Sequence, residues 1–138
     1  DFVYCYHLIE HVDNPSSVIE EIKRVLRPGG FVYIGTPNKN RIIGYWGSET
    51  SFFNKIKWNL TDWQMRLTRR FTNELGAHAG FTYMDMNQLL SREFKNVRSV
   101  SFEYYSAIYP EKIMFLNFLT RIKVTKFVFP SLYFLAQS

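Results

Sequence analysis

Arg24-Val25-Leu26-Arg27-Pro28-Gly29-Gly30-Phe31-Val32-Tyr33-Ile34-Gly35-Thr36-Pro37-Asn38 reads as a helix end, a tight glycine turn and a buried strand that stops at a proline. The helix before it is signalled at both ends. Asn14 can cap it, Pro15 suits the first helical position, and Glu20 and Glu21 sit early. Val18, Ile19, Ile22, Val25 and Leu26 recur at a helical period. Lys23, Arg24 and Arg27 crowd the C-terminal end, where cations favour the helix dipole. Pro28 forces a stop, and Gly29 with Gly30 is expected to turn through positive φ. Phe31 to Thr36 is short, apolar and β-rich, as in an inner strand of a sheet covered on both faces.

Working outward, Asp1 to Tyr6 reads as a second short strand, and His7 to Asp13 connects it to the helix. Strand, polar turn, helix, Gly-Gly, strand is a βαβ unit, so the strands should be parallel with a right-handed crossover. Ligands of open α/β sheets sit outside the carboxyl ends of such strands. That directs attention to Cys5 through His11 and Thr36 through Asn40.

The pattern Asp1-x-Val3…His7-x-x-Glu10-His11-Val12…Pro15…Arg24-Val25-Leu26-Arg27-Pro28-Gly29-Gly30…Thr36-Pro37-Asn38 resembles the second half of a class I S-adenosylmethionine-dependent methyltransferase. It is most similar to the branch with the ubiquinone-biosynthesis O-methyltransferases and sugar and cell-envelope methyltransferases. The resemblance is dense over residues 1–40 and patchy beyond. It implies an α/β, partial Rossmann-like fold: the C-terminal half of the sheet, closed by an antiparallel hairpin. It implies three further strands upstream and a Gly-rich cofactor turn; no G-x-G-x-x-G occurs here. The 138 residues are therefore expected to be the C-terminal part of one domain, unable alone to bind cofactor usefully. Within it, 1–38 is the recognised core, 39–75 an insert or substrate wall, and 76–138 the closing strands.

Composition narrows the setting. The single cysteine, Cys5, excludes an internal disulfide and suggests a reducing, cytoplasmic compartment. Net charge is +5, and the excess is local: residues 39–70 hold seven bases against two acids. Such a surface over a site suits an anionic substrate, a nucleic acid or a membrane face, and equally an ordinary solvated surface. With the resemblance included, a small-molecule or lipid-linked substrate is expected and nucleic acid is not.

Residues 39–60 mix Lys39, Arg41, Lys55 and Lys57 with Tyr45, Trp46, Phe52, Phe53 and Trp58, and include Gly44 and Gly47. A helix is expected from Thr61, with Thr61 and Gln64 as a capping box and Trp63, Leu67 and Phe71 inward. The Glu74 to Thr82 segment, with Gly76, His78 and Gly80, loosely resembles the family's approach to its next helix. Asp85 should cap a helix through Phe94 that turns Met86, Leu89 and Leu90 inward. Alternation from Val100 through Phe102 to Tyr104 predicts a strand over 97–105. A final strand over 132–136 should pair with it antiparallel, as the resemblance implies. Between them, 110–129 is expected to be one basic, very apolar helix, opened by Pro110 and closed before Pro130. Its longest uncharged run falls short of the roughly 20 residues that span a bilayer. Peripheral membrane contact, cover for a lipid-like substrate, a homodimer interface and packing on the sheet all fit it.

His7, Glu10 and His11 are the chemical candidates. H-x-x-E-H is also the inverted zincin order, but that motif needs a continuous helix, and here it follows a β-rich run and closely precedes Pro15. Some similar methyltransferases bind a divalent cation through Glu-x-x-Glu-His. His7 replaces the first glutamate, which softens the site, and no metal is assigned. His11 is read as a general base beside the cofactor, with Glu10 as its orienter, or as a structural residue. The resemblance implies that Cys5, Tyr6 and His7 contact the methionine portion of S-adenosylmethionine. A non-catalytic interaction module built on the same half-fold is the alternative of a different class.

Overall fold

The computed structural model describes residues 1–45, 48–73 and 78–138. The expectations that touch Trp46, Gly47, Glu74 and Gly76 lie outside the described residues. The chain runs β1 (Phe2–Tyr6), a 3-10 turn (Ile9–His11), α1 (Pro15–Val25), β2 (Phe31–Pro37) and α2 (Phe52–Leu67). It continues through α3 (Tyr83–Ser91), β3 (Lys95–Ser99), α4 (Ser101–Ile108), a 3-10 turn (Pro110–Lys112), α5 (Ile113–Arg121), α6 (Thr125–Val128) and β4 (Ser131–Gln137).

The four strands make one sheet in the order β1-β2-β4-β3. β1 and β2 are parallel, with Tyr6 opposite Gly35. β4 runs antiparallel to both β2 and β3. The βαβ unit and the antiparallel closing strand are thus as the sequence indicates. Asn14 caps α1 through the Ser17 amide at 3.2 Å. Only Gly29 of the glycine pair has positive φ, at 83°. Gly30 is needed for space, because a Cβ there would lie 3.0 Å from the Arg27 carbonyl oxygen.

Strand alternation sorts the sheet into two faces. Cys5, Val32, Ile34, Leu132, Phe134 and Ala136 pack under Ile19 of α1 and Met86 and Leu90 of α3. On the other face Tyr133 packs with Val100, Tyr105, Leu116 and Phe129. This second face is only partly covered. Phe2 and Tyr4 of β1 are each 61% exposed, which corrects the reading of strands buried on both sides.

Three local expectations are overturned. The strand over 97–105 stops at Ser99, and α4 follows. The Ser101 hydroxyl accepts the Tyr133 amide at 2.8 Å, replacing a backbone partner at that point of the sheet. Ser101 and Tyr105, four apart, are then the buried pair of a helix. The alternating apolar residues had satisfied both periods. Second, α2 begins at Phe52 under a Ser51 cap, not at Thr61. Thr61 is mid-helix, and its hydroxyl donates to the Lys57 carbonyl at 3.0 Å, so no capping box forms with Gln64. Trp63 and Leu67 face outward at 43% and 83% exposure, while Asp62 is buried.

Third, the single helix over 110–129 is a 3-10 turn and two helices. The chain reverses at Lys123, with φ of 58°. A long-range contact explains the break. The Asn38 side-chain amide, at the end of β2, donates to the carbonyls of Lys126 at 2.9 Å and Phe129 at 2.8 Å. It draws α6 onto the strand end, which a continuous helix could not reach. Thr82, not Asp85, caps α3, which ends at Ser91 rather than Phe94; Asp85 closes the reciprocal capping box from the third helical position. Leu90 and Met86 are fully buried, with Leu89 packed beside them.

Candidate functional site

The carboxyl end of β1 is built by a turn that hydrophobic burial holds in place. The His7 amide donates to the Gly35 carbonyl at 2.8 Å, extending the β1–β2 ladder by one residue. His7 then takes φ of 48°, a left-handed value that swings the chain away from the sheet. Ile9, fully buried, anchors the following 3-10 turn. The turn carries Glu10 inward, where its side chain is 1% exposed.

Glu10 is the hub. One carboxylate oxygen lies 3.1 Å from His7 Nδ1, and the other accepts the Thr36 hydroxyl of β2 at 3.2 Å. A carboxylate only accepts, so Nδ1 of His7 carries the proton in this pair and Nε2 takes no part in it. His11 Nε2 lies 3.9 Å from Glu10, too long for a hydrogen bond. Its ring instead meets His78 edge-on, with centroids 4.7 Å apart. Burial by itself pushes the Glu10 carboxyl up. The hydrogen bond from His7, the local backbone amide and the Thr36 hydroxyl outweigh burial, and the carboxyl ends below its ordinary value.

These side chains open into a cavity of about 590 Å³. Tyr6, His7, Glu10 and His11 form its floor, His78 and Arg41 one side, and Tyr104, Tyr105, Tyr109 and Tyr133 the other. Tyr104 and Tyr133 stack with centroids 3.8 Å apart, and Tyr6 stacks on Tyr133 at 6.1 Å. Gly35 makes this possible, since a Cβ there would meet both the Tyr6 and Tyr133 rings at 2.8 Å. Burial, with the nearby Tyr104 and Tyr6 hydroxyls, raises the Tyr133 phenol far above its ordinary value, so it stays a neutral donor.

Four of the five site residues named from the sequence therefore meet here. Cys5 does not: it faces the opposite side of the sheet among Ile9 and Ile19, and burial raises its thiol pKa. Only its backbone is near the strand end. The Glu10–His11 pairing expected from the sequence is replaced by Glu10–His7. The zincin arrangement is also excluded by backbone shape, because the motif spans a strand end and a three-residue turn. Among the described residues no three His, Cys, Asp or Glu side chains are placed to hold a metal ion. Arg41, His78 and the four rim tyrosines were not read as site residues, because they come from remote segments. Thr36, which its place at the end of an inner strand had marked, does reach the site through its hydroxyl on Glu10.

Glu10→Gln should keep the shape and lose the charge. The Glu10 carboxyl is lowered by folding, so its stabilisation is present above the unfolded value near 4.5 and disappears as pH falls through the folded value. The variant should lose about 2 kcal/mol at neutral pH and show a flatter acid limb in urea unfolding across pH. An acid limb identical to that of the parent would contradict this account of Glu10.

Residues 1–34 match a family model described as a methyltransferase domain. The ubiquinone biosynthesis O-methyltransferase of Aeromonas salmonicida (strain A449) is 31% identical over 111 residues, covering 75% of this chain and 46% of that protein. Its counterpart in Shewanella halifaxensis (strain HAW-EB4) is 50% identical over 40 residues, 29% of this chain and 17% of that protein. The one from Dechloromonas aromatica (strain RCB) shows the same figures over 40 residues. The matched region thus spans less than half the length of these relatives. The family match falls on the βαβ unit that builds the Glu10 hub, and an antiparallel last strand closes the sheet beside it. By both sequence and topology, the chain resembles the C-terminal part of a class I S-adenosylmethionine-dependent methyltransferase.

Proposed function

We propose that this chain supplies the acceptor-facing wall and the proton-handling groups for S-adenosylmethionine-dependent O-methylation of a small, sugar or lipid-linked acceptor. The observation that carries this is the cavity at the carboxyl end of β1, floored by His7, Glu10 and His11 and walled by tyrosines. S-adenosylmethionine, when bound, supplies an electrophilic methyl group. The donor set suits it: a buried ionised carboxylate and the electron-rich faces of Tyr6 and Tyr133 stand where a sulfonium cation would be stabilised. Tyr6 and His7 are the side chains that would hold its methionine portion, with Cys5 contributing backbone only.

The remaining work is alignment and removal of a proton from the acceptor hydroxyl. The tyrosine wall orients a flat or apolar acceptor and keeps water out. A neutral histidine accepts the proton. His11, at 46% side-chain exposure on the cavity floor, is the first assignment. A second rests on one distance: Glu10 at 3.1 Å from His7 Nδ1 orients that ring and leaves its Nε2 to act as base.

Methyl transfer by the intact enzyme decides between them. Alanine at the true base should lower turnover by about 100-fold or more, and alanine at the other histidine by much less. Calorimetry with S-adenosylmethionine tests the reading as a whole. No binding heat and no methyl transfer from the intact enzyme would leave the non-catalytic module as the better account, whereas full activity in both histidine variants would make the two histidines structural.

A further inference from the structure

Asn38, just past the end of β2, is 1% exposed and is not one of the residues that line the cavity. Its bonds nevertheless reach both walls. The side-chain amide donates to the carbonyls of Lys126 and Phe129, and its oxygen accepts the Asn40 amide at 3.0 Å. The backbone amide donates to the Pro130 carbonyl at 2.9 Å. The backbone carbonyl accepts the Arg41 amide at 3.0 Å and Arg41 Nη1 at 3.2 Å. A buried amide with both hydrogens used fixes distance and direction, which apolar packing alone does not.

Each wall hangs on these bonds. On the tyrosine side, Asn38 holds the Phe129 carbonyl, and the Phe129 ring packs on Tyr105 with centroids 4.5 Å apart. Two residues further on, the Ser131 amide donates to the Tyr105 hydroxyl at 2.9 Å. α6 buries none of its four side chains, so apolar packing does little to hold it there. On the histidine side, Arg41 Nη1 also donates to the Ala79 carbonyl at 3.3 Å, next to His78. Phe81 forms a parallel bridge with Asn38. The Glu10 hub is held separately, by the pairing of β1 with β2 and by the Thr36 hydroxyl.

We infer that Asn38 is a positioning residue that sets the width of the acceptor cavity by holding the Phe129–Ser131 segment and the Arg41 segment to the end of β2. The inference rests on the methyl-transfer reading. Asn38 is not on the cavity surface, so it acts on the acceptor only through the walls. Contacts between the walls and parts of the acceptor remote from its hydroxyl are equal in ground and transition states. Their loss raises KM and leaves kcat. A defect of folding alone would remove active molecules, lowering apparent kcat at unchanged KM.

The test is methyl transfer by the intact enzyme to catechol, a flat hydroxylic probe suited to a tyrosine-walled cavity. Asn38→Ser keeps a short hydroxyl for the Asn40 amide and cannot reach the Lys126 and Phe129 carbonyls. It should raise the KM for catechol by about tenfold and leave kcat within about threefold of the parent. The calorimetric Kd for S-adenosylmethionine should not change. Hydrogen exchange should quicken at the Ile42 amide, which donates to the Phe127 carbonyl at 2.7 Å, and at the Ser131 amide, but not in α1. Tyr105→Phe cuts the same connection one step further on and keeps the ring. It should raise the catechol KM in the same direction, and it decides the matter if Asn38→Ser does not fold. A catechol KM unchanged in the variants, or a fall in kcat at unchanged KM, overturns the inference. An active parent with unchanged variants sinks this inference alone, whereas an inactive parent sinks the methyl-transfer reading with it.

Discussion

Replacing Asp62 with alanine is expected to cost about 3–5 kcal/mol of folding stability, read from the urea midpoint at constant m-value. Its carboxylate accepts Arg41 Nη2 at 2.9 Å and the Tyr45 hydroxyl at 3.1 Å. The two ion-pair side chains are only 5% and 11% exposed. Arg41 also donates to the Asn38 and Ala79 carbonyls at 3.2 and 3.3 Å and lies 5.2 Å from the Phe71 ring centre. It therefore cannot leave for water when its partner is removed. The variant would hold an uncompensated guanidinium among apolar neighbours. The double change Arg41→Met, Asp62→Leu should recover most of the loss, because it removes both desolvated charges together. A single variant within about 0.5 kcal/mol of the parent would show that the pair is hydrated in solution and does not hold α2 to the strand end.

Gly80→Ala should be comparably severe, at about 3 kcal/mol or more. Gly80 has φ of 74°, and a Cβ there would lie 1.8 Å from the Pro37 carbonyl oxygen. No side-chain rotation relieves a clash with backbone. The segment would have to lift away, breaking the Phe81 amide to Pro37 carbonyl bond of 3.0 Å and the Lys39 amide to Phe81 carbonyl bond of 2.9 Å. His78, which meets His11, rides on the same segment, so acceptor binding should suffer along with stability. Gly29→Ala separates the two effects. Gly29 has φ of 83° but nothing within 4 Å of the built Cβ. That variant should lose only the conformational penalty, about 1–2 kcal/mol. Equal losses at both positions would mean that the clash at Gly80 relaxes and that φ alone sets the effect.

The two changes act on the long-range contacts that the sequence left unread. The insert reads as an aperiodic mixture because its organising interaction is ionic. Arg41 draws Asp62 inward, and the apolar residues of α2 consequently turn outward. An apolar-inside rule gives the opposite orientation for Trp63 and Leu67. Likewise the alternation at Val100, Phe102 and Tyr104 suits a strand until the Ser101 hydroxyl takes the Tyr133 amide and the chain turns into α4.

Over residues 1–38 local sequence was sufficient. Asn14, Pro15, the helical apolar period, Pro28 and Gly29 each act within a few residues of themselves, and together they determine strand, helix, turn and strand. That unit in turn places His7, Glu10 and His11 at a strand's carboxyl end. Which histidine Glu10 holds was decided elsewhere. The left-handed turn at His7, the buried Ile9 and the Thr36 hydroxyl from the neighbouring strand set the carboxylate against His7 and leave His11 to His78. Adjacent residues of a short turn can face either way at little local cost, so only packing against the completed sheet selects between them.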